Sequence, residues 1–410
     1  MEIREKAEKI VNEAEKKLIN RFKEIESVAL YNQEKVLNAF RNYRVGTRHF
    51  AGSTGYGYDD IGRDTLNKVY AEVFQAESAI VSPNIVSGTH ALTIALFGLL
   101  KTNDLAVSIT GKPYDTLNEV IYGIGNGSLL DYKIKFDIIE MKQSEIDCEL
   151  VRDYIITNHP KLVYIQRSRG YSSRNALTID KIKFAIDVIK SINNNIIVMV
   201  DNCYGEFIEK FEPTAVGADV IVGSLIKNAG GGIAPTGGYI AGKEQLIKAI
   251  SYRLTSPSIG SEVGSYEYGY RLFYQGLFLA PHVTSQAVKG MMLFSVTMND
   301  LGFKTLPTIN DEIGDIVCSV IFDSSEQLIS FCQGIQYTSP IDSYVTLEPW
   351  DMPGYEHKVI MAAGCFISGS SIELSCDSPI KEPYIAYLQG GLTYEHVKLA
   401  AIECVMRLLK

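Results

Sequence analysis

Ile196-Ile-Val-Met-Val-Asp-Asn202 and Asp219-Val-Ile-Val-Gly-Ser-Leu-Ile-Lys227 are the two stretches that decide the fold. The first runs through five apolar residues and stops at Asp201. Apolar residues without alternation, in so short a run, describe a strand covered on both faces, as in a parallel sheet flanked by helices. The second repeats the pattern and ends on Lys227, 26 residues after Asp201. Similar runs occur at Ser78–Val81, Ala106–Ile109, Leu162–Ile165 and Gly238–Ala241, with helical segments between them. Strand and helix in alternation predict an α/β domain built on a mostly parallel sheet.

Outward from this core, residues 2–26 carry Ile10, Leu18, Phe22 and Ile25 at helical spacing among Lys and Glu. That amphipathic helix needs a partner surface, either the body of the chain or another subunit. A glycine- and aromatic-rich loop, Phe50 to Tyr58, precedes a second amphipathic helix from Arg63 to Phe74. After Pro281-His282 a helix near Ser285–Ser295 leads into a mixed α/β segment that ends in the helix Thr393–Leu409. The expected division is an N-terminal helical arm (1–45), a large domain (46–285) and a smaller C-terminal α/β domain (286–410). A chain of 410 residues is long enough for two lobes.

Bulk composition narrows the function. A formal charge of −9 disfavours nucleic acid and anionic membrane as partners, because both need a basic face. The seven cysteines are scattered with no Cys-x-x-Cys pair, which reads as reduced core cysteines. The charged start, Met-Glu-Ile-Arg-Glu-Lys, does not read as a secretory segment, and no apolar run approaches the ~18 residues of a membrane span. A cytoplasmic protein is expected. The six histidines show no ligand spacing, so no metal site is expected.

Three features carry chemistry. Asp201 emerges from a buried strand at its carboxyl end, where open α/β sheets bind ligands. A carboxylate there requires a cationic or donor partner, and the pyridinium nitrogen of pyridoxal 5′-phosphate (PLP) is one such partner. Lys227, at the mouth of the neighbouring strand, sits among apolar residues and glycines, a setting expected to lower its pKa for imine chemistry. Ser224 can place a hydroxyl on a phosphate, and Gly230, Gly231 and Gly232 would let the backbone approach a ligand. Finally, Ser87-Gly-Thr-His90 opens a helix, with Ser87 as N-cap and the first amides uncovered at Gly88, a natural phosphate site. Singly, each has an ordinary reading: a turn aspartate, a solvated lysine, a capped helix. Their joint placement at strand ends and a helix start is what points to PLP. Gly237 to Lys243 imitates a P-loop, but Glu244 stands where Ser or Thr is required, so a strand turning into a helix explains it better.

The chain resembles the cysteine/methionine-metabolism family of PLP enzymes of fold type I. Within that family it is most similar to the aluminium-resistance, carbon–sulfur lyase branch, with methionine γ-lyase and cystathionine lyases as cousins. The resemblance is carried by Gly55 to Leu66, Val86 to Leu92, Asp201-Asn-Cys-Tyr-Gly-Glu206, Ser224-Leu-Ile-Lys-Asn228, Gln275 to His282 and Gln389 to His396. It implies an aspartate-aminotransferase-like fold, a Schiff base on Lys227 and Asp201 on the ring nitrogen. It also implies a phosphate held by Ser87, Gly88, Thr89 and Ser224, and Tyr114 stacked on the ring. Tyr56 or Tyr58 matches the tyrosine that reaches a neighbouring subunit's phosphate, which implies a homodimer with shared sites and a possible doubling to a homotetramer. Two departures stand out. The family's Tyr-x-Arg is here Tyr56-Gly-Tyr58, and Gln166-Arg-Ser-Arg-Gly-Tyr171 lacks the usual Asn-Pro. Candidates for the substrate carboxylate are Arg167, Arg169 and Lys381, the last in Ser371-Ile-Glu-Leu-Ser-Cys-Asp-Ser-Pro-Ile-Lys381. The expected activity is β- or γ-elimination on a sulfur-containing amino acid such as cystathionine, cysteine or methionine. Alternatives are an aminotransferase, an aldolase, a β-replacement enzyme, or a PLP-binding protein with little catalysis.

Overall fold

A computed structural model describes residues 2–172, 174–352 and 356–410. It begins with helices α1 (Glu2–Lys17), α2 (Ile19–Asn42) and α3 (Ile61–Val73), followed by β1 (Ser78–Ser82) and α4 (Gly88–Leu99). Then come β2 (Leu105–Ser108), α5 (Asn118–Tyr122), β3 (Lys135–Ile138), α6 (Cys148–Asn158), β4 (Leu162–Gln166) and α7 (Ile179–Ile192). β5 (Ile197–Asp201), β6 (Val220–Ser224), β7 (Gly238–Gly242) and α8 (Glu244–Leu254) complete the large sheet and its cover.

The strands order as β1-β7-β6-β5-β4-β2-β3. The five from β6 to β3 are parallel, while β7 runs antiparallel to both neighbours. The predicted run Gly238–Ala241 therefore belongs to the exception. The apolar runs fit their setting, because Val198, Val200 and Ile221 pack into the core on one face and Met199, Val220 and Val222 into that on the other. β3 escaped the sequence reading; its burial alternates along Lys-Phe-Asp-Ile, as on a sheet edge with one face in water.

α9 (Arg271–Asp300) is a single helix about 45 Å long at 1.5 Å per residue. The predicted helix Ser285–Ser295 is only its second half, and Pro281 lies inside it rather than ending it. A mid-helix proline costs about 3 kcal/mol. Burial of Leu277, Leu293 and Phe294 contributes about 1.5–3 kcal/mol each, so packing wins.

Beyond α9, β8 (Lys304–Leu306), β9 (Val317–Phe322), α10 (Ser325–Thr338), β10 (Val359–Ala362), β11 (Ser375–Pro379), β12 (Tyr384–Gln389) and α11 (Tyr394–Leu408) follow. The strands form a second, antiparallel sheet ordered β10-β11-β12-β9-β8. α1 finds its partner surface in the same chain: Ala7, Val11, Ala14 and the following Leu18 are buried in the core shared with α9 and α11. The predicted helix 2–26 divides at Leu18 into α1 and α2. Among the described residues no helix is long and apolar enough to cross a membrane.

Candidate active site

β4, β5 and β6 lie side by side and parallel, and their carboxyl ends are Gln166, Asp201 and Ser224. All three line one cavity of ≈ 230 Å³, together with Ser87, Gly88, Thr89, Tyr114 and Lys227. These residues come from five separate segments of the sequence, which the fold brings to one mouth.

The start of α4 forms one wall. Ser87 Oγ accepts from the His90 amide at 3.0 Å, so the cap is made as expected. At Gly88 a Cβ would meet Cys203 Sγ at 3.4 Å and Ser224 Cβ at 3.7 Å, ordinary contact distances that show how close the helix start lies to the ends of β5 and β6. The helix N-terminus thus lies against the ends of β5 and β6, with its partial positive charge directed at the cavity wall. Gly230, Gly231 and Gly232 do something other than approach a ligand. A Cβ on Gly230 would lie 1.6 Å from the Leu225 carbonyl oxygen, and one on Gly231 would lie 2.4 Å from that of Gly276 on α9. They let the turn after Lys227 fold back on itself and pack against α9.

Asp201 is buried. Its carboxylate accepts from the Cys203 amide at 3.1 Å and the Tyr164 hydroxyl at 3.3 Å. Burial pushes it above the usual carboxylate range, opposed by the Lys227 amine and those donors. A buried acid that faces a cavity, with no hydrogen-bonded cation among the described residues, fits a cationic ring nitrogen, which would offset the cost of its burial. Lys227 departs from expectation. Burial does work to lower it, but Tyr204, Cys203 and Asp201 outweigh burial, and the amine is held above its ordinary value. Its Nζ lies 3.8 Å from the centroid of the Tyr204 ring.

Tyr114 reaches the cavity at its rim, with its amide donating to Gln166 Oε1 at 2.8 Å and its ring 6.0 Å from that of Tyr171. None of Arg167, Arg169 and Lys381 lines the cavity. Arg167 is wholly buried behind it, donating to Asn202 Oδ1 at 2.9 Å and to Glu209 at 2.8 Å. Arg169 pairs with buried Asp315 at 3.3 Å and donates to the Leu306 carbonyl at 2.8 Å. Removing a guanidinium from such a pair leaves a buried carboxylate alone, at about 3–5 kcal/mol. Lys381 is exposed, in the turn between β11 and β12. Tyr56 and Tyr58 sit on the surface, 72% and 64% exposed, rings 5.5 Å apart, outside the cavity of this chain.

The cavity also contains residues the sequence reading had not assigned: Gln166, Cys203, Tyr204, Asp377, Tyr387 and Gln389. The last three come from the second sheet, where Asp377 pairs in register with Tyr387 and Ser375 with Gln389. The alternation Ser375-x-Asp377 and Tyr387-x-Gln389 was the available signal, since two residues apart on a strand share a face.

Residues 7–409 match the family model for methionine γ-lyase. The chain belongs to that family. Membership makes it a PLP-dependent enzyme of the carbon–sulfur lyase class. It is 50% identical over 406 residues to the uncharacterized protein YnbB of Bacillus subtilis, covering 98% of this chain and 96% of that one. A solved carbon–sulfur lyase involved in aluminium resistance, from Clostridium novyi, superposes with a TM-score of 0.95 at 48% identity, covering 98% and 96% of the two chains. An L-methionine γ-lyase of Porphyromonas gingivalis is more distant, 27% identical over 207 residues, half of this chain and 48% of that one. The α/β fold with a mostly parallel sheet expected from the strand pattern, and the fold type I implied by the resemblance, are the architecture of the solved relative.

Proposed function

We propose that this chain is a lyase that removes a sulfur leaving group from the β or γ carbon of an amino acid of the cystathionine, cysteine or methionine type. The observation that carries this reading is the convergence of Lys227, Asp201 and the α4 N-terminus on one cavity. In it the Gly88 and Thr89 amides, with Ser87 and the Ser224 hydroxyl, would hold the cofactor phosphate, and Asp201 would keep a proton on the ring nitrogen. PLP, when bound there, supplies the electron sink that makes a Cα proton removable.

The remaining work falls to side chains. Lys227 Nζ anchors the cofactor and moves the Cα proton. An amine held as ammonium cannot take that proton, and Asp201 is one of the groups that hold it so. With Asp201 engaged by a cationic ring nitrogen, that contribution would fall and the amine would be nearer the neutral form needed for base work. Tyr114, on the cavity wall, would stack on the ring and would give its hydroxyl proton to sulfur as the carbon–sulfur bond breaks. The tyrosines and Gln389 exclude water around the substrate. Tyr56 and Tyr58, exposed here, reach the phosphate of a second subunit, so the working unit is a homodimer, cytoplasmic, with a tetramer as its doubled form.

Two measurements test this. Borohydride reduction of the cofactor-loaded protein places the label on Lys227; a label on another lysine overturns the assignment. Incubation with cystathionine, cysteine, homocysteine and methionine releases thiol or sulfide, a 2-keto acid and ammonia from at least one. Conversion of the cofactor to pyridoxamine phosphate without sulfur release replaces elimination with transamination.

A further inference from the structure

Across the cavity from the α4 wall, the second sheet presents a carboxyl group that elimination chemistry does not use. Asp377 on β11 stands directly opposite Tyr387 on β12. The Tyr171 hydroxyl donates to Asp377 Oδ2 at 3.4 Å, and the Tyr387 hydroxyl donates to the Tyr171 carbonyl at 2.7 Å. The rings of Tyr171 and Tyr387 meet edge to face at 5.1 Å, and Tyr114 continues the cluster 6.0 Å beyond Tyr171.

Charge inside the cavity is unbalanced. Among the described residues that line it, the cation is Lys227, the acids are Asp201 and Asp377, and no arginine or histidine takes part. In the reading above Asp201 is committed to the ring nitrogen and the substrate amine takes over the place of the Lys227 amine. Asp377 then lines the space left to the substrate, with no ion-pair partner among the described residues. A carboxylate set among tyrosine rings accepts a cation, through charge and through the electron-rich ring faces. A neutral side chain leaves that carboxylate desolvated and unpaired, and an anionic one is repelled.

We propose that Asp377 is a specificity-determining residue that binds an ammonium at the far end of the substrate's side chain, so that the preferred substrates are sulfur amino acids with a second amino group. The proposal rests on the lyase reading for the sulfur and on the cavity for the charge. Burial pushes Asp377 up to about 6, opposed by the Tyr171 hydroxyl and the Lys227 amine, so it is ionised at slightly alkaline pH.

The test compares S-(2-aminoethyl)-L-cysteine with its near-isostere S-propyl-L-cysteine on the cofactor-loaded enzyme at pH 8, by calorimetric Kd and by thiol release. The expected result is a preference of at least about tenfold for the aminoethyl compound in Kd. Asp377→Asn brings the two within about twofold, whereas Asp377→Glu keeps part of the preference. Equal binding by the wild type, or binding of neither compound, overturns the proposal. So does an Asp377→Asn variant that weakens both compounds alike, which makes Asp377 a partner of Lys227 instead. The two readings fail separately. A charge preference without thiol release leaves Asp377 in place and removes the lyase; thiol release without a preference does the reverse.

Discussion

Lys227 and Tyr204 are bound into one unit: the lysine Nζ lies over the tyrosine ring at 3.8 Å, and the residue after Lys227 holds the backbone of Tyr204. Asn228 Nδ2 donates to the carbonyl oxygens of Tyr204 at 3.0 Å and Glu206 at 3.1 Å. Tyr204 has φ +70°, a left-handed conformation that costs an ordinary residue about 1–2 kcal/mol. The loop carrying the amine therefore holds its own aromatic neighbour in a strained turn.

The Tyr204 side chain is one of the groups that raise Lys227, so Tyr204→Phe lowers the lysine pKa. Covalent uptake of the cofactor needs the neutral amine, and the variant takes it up faster than wild type at pH 7. Stopped-flow absorbance across pH 6 to 9 measures this. An unchanged pH profile removes Tyr204 from the role.

On the proposed reading, Asp201→Asn would retain the lysine and phosphate contacts but lose the charge that keeps the cofactor ring protonated. Cofactor content stays within a few-fold of wild type, while exchange of the substrate's Cα hydrogen for deuterium falls by at least about 10²-fold. Near-normal exchange refutes the assignment.

Glu206 gives a pH dependence of stability. It is fully buried, accepts from the Tyr239 hydroxyl at 2.8 Å, and burial pushes it up to about 8. The unfolded value is about 4.3. The folded protein binds the extra proton between these values, so stability is greatest below the unfolded pKa and falls as pH rises toward 8. Glu206→Gln removes this slope, which amounts to a few kcal/mol at most. Urea midpoints at pH 5, 6.5 and 8 show the difference; parallel curves for the two proteins contradict it.

Tyr114→Phe keeps the ring on the cavity wall, where the proposal stacks it on the cofactor, and removes the hydroxyl. Elimination slows by about 10²-fold or more while Cα exchange changes little, because charge develops on sulfur only in the later step. An equal loss in both rates identifies Tyr114 as a positioning residue only.

Tyr56→Ala with Tyr58→Ala exposes the dimer prediction. Light scattering of the wild type gives at least twice the mass of the 410-residue chain, and the double variant loses cofactor affinity without losing its helical signal. A fully active monomer contradicts a shared site.

The sequence by itself located most of the strands of the large sheet and set Asp201 and the segment of Lys227 at the carboxyl ends of two of them. Apolar strands ending at Asp201, and at Ser224 just short of Lys227, can be read locally, because a strand's burial and its terminal residue are properties of adjacent positions. The Ser87 cap and the small residue at Gly88 are local in the same sense. The tertiary structure decided what those residues face. Arg167 and Arg169 look free in the chain, yet their partners Glu209, Glu212 and Asp315 come from distant segments and draw both into ion pairs away from the cavity. The lysine's pKa went the same way: apolar sequence neighbours suggested a lowered value, and Tyr204, Cys203 and Asp201, from the end of the neighbouring strand β5 and the turn after it, raise it. Asp377 joins the site only because β11 and β12 turn one polar face of the second sheet toward the ends of the first. Which charges meet across a cavity depends on through-space distance, and the order of residues along the chain does not fix that distance.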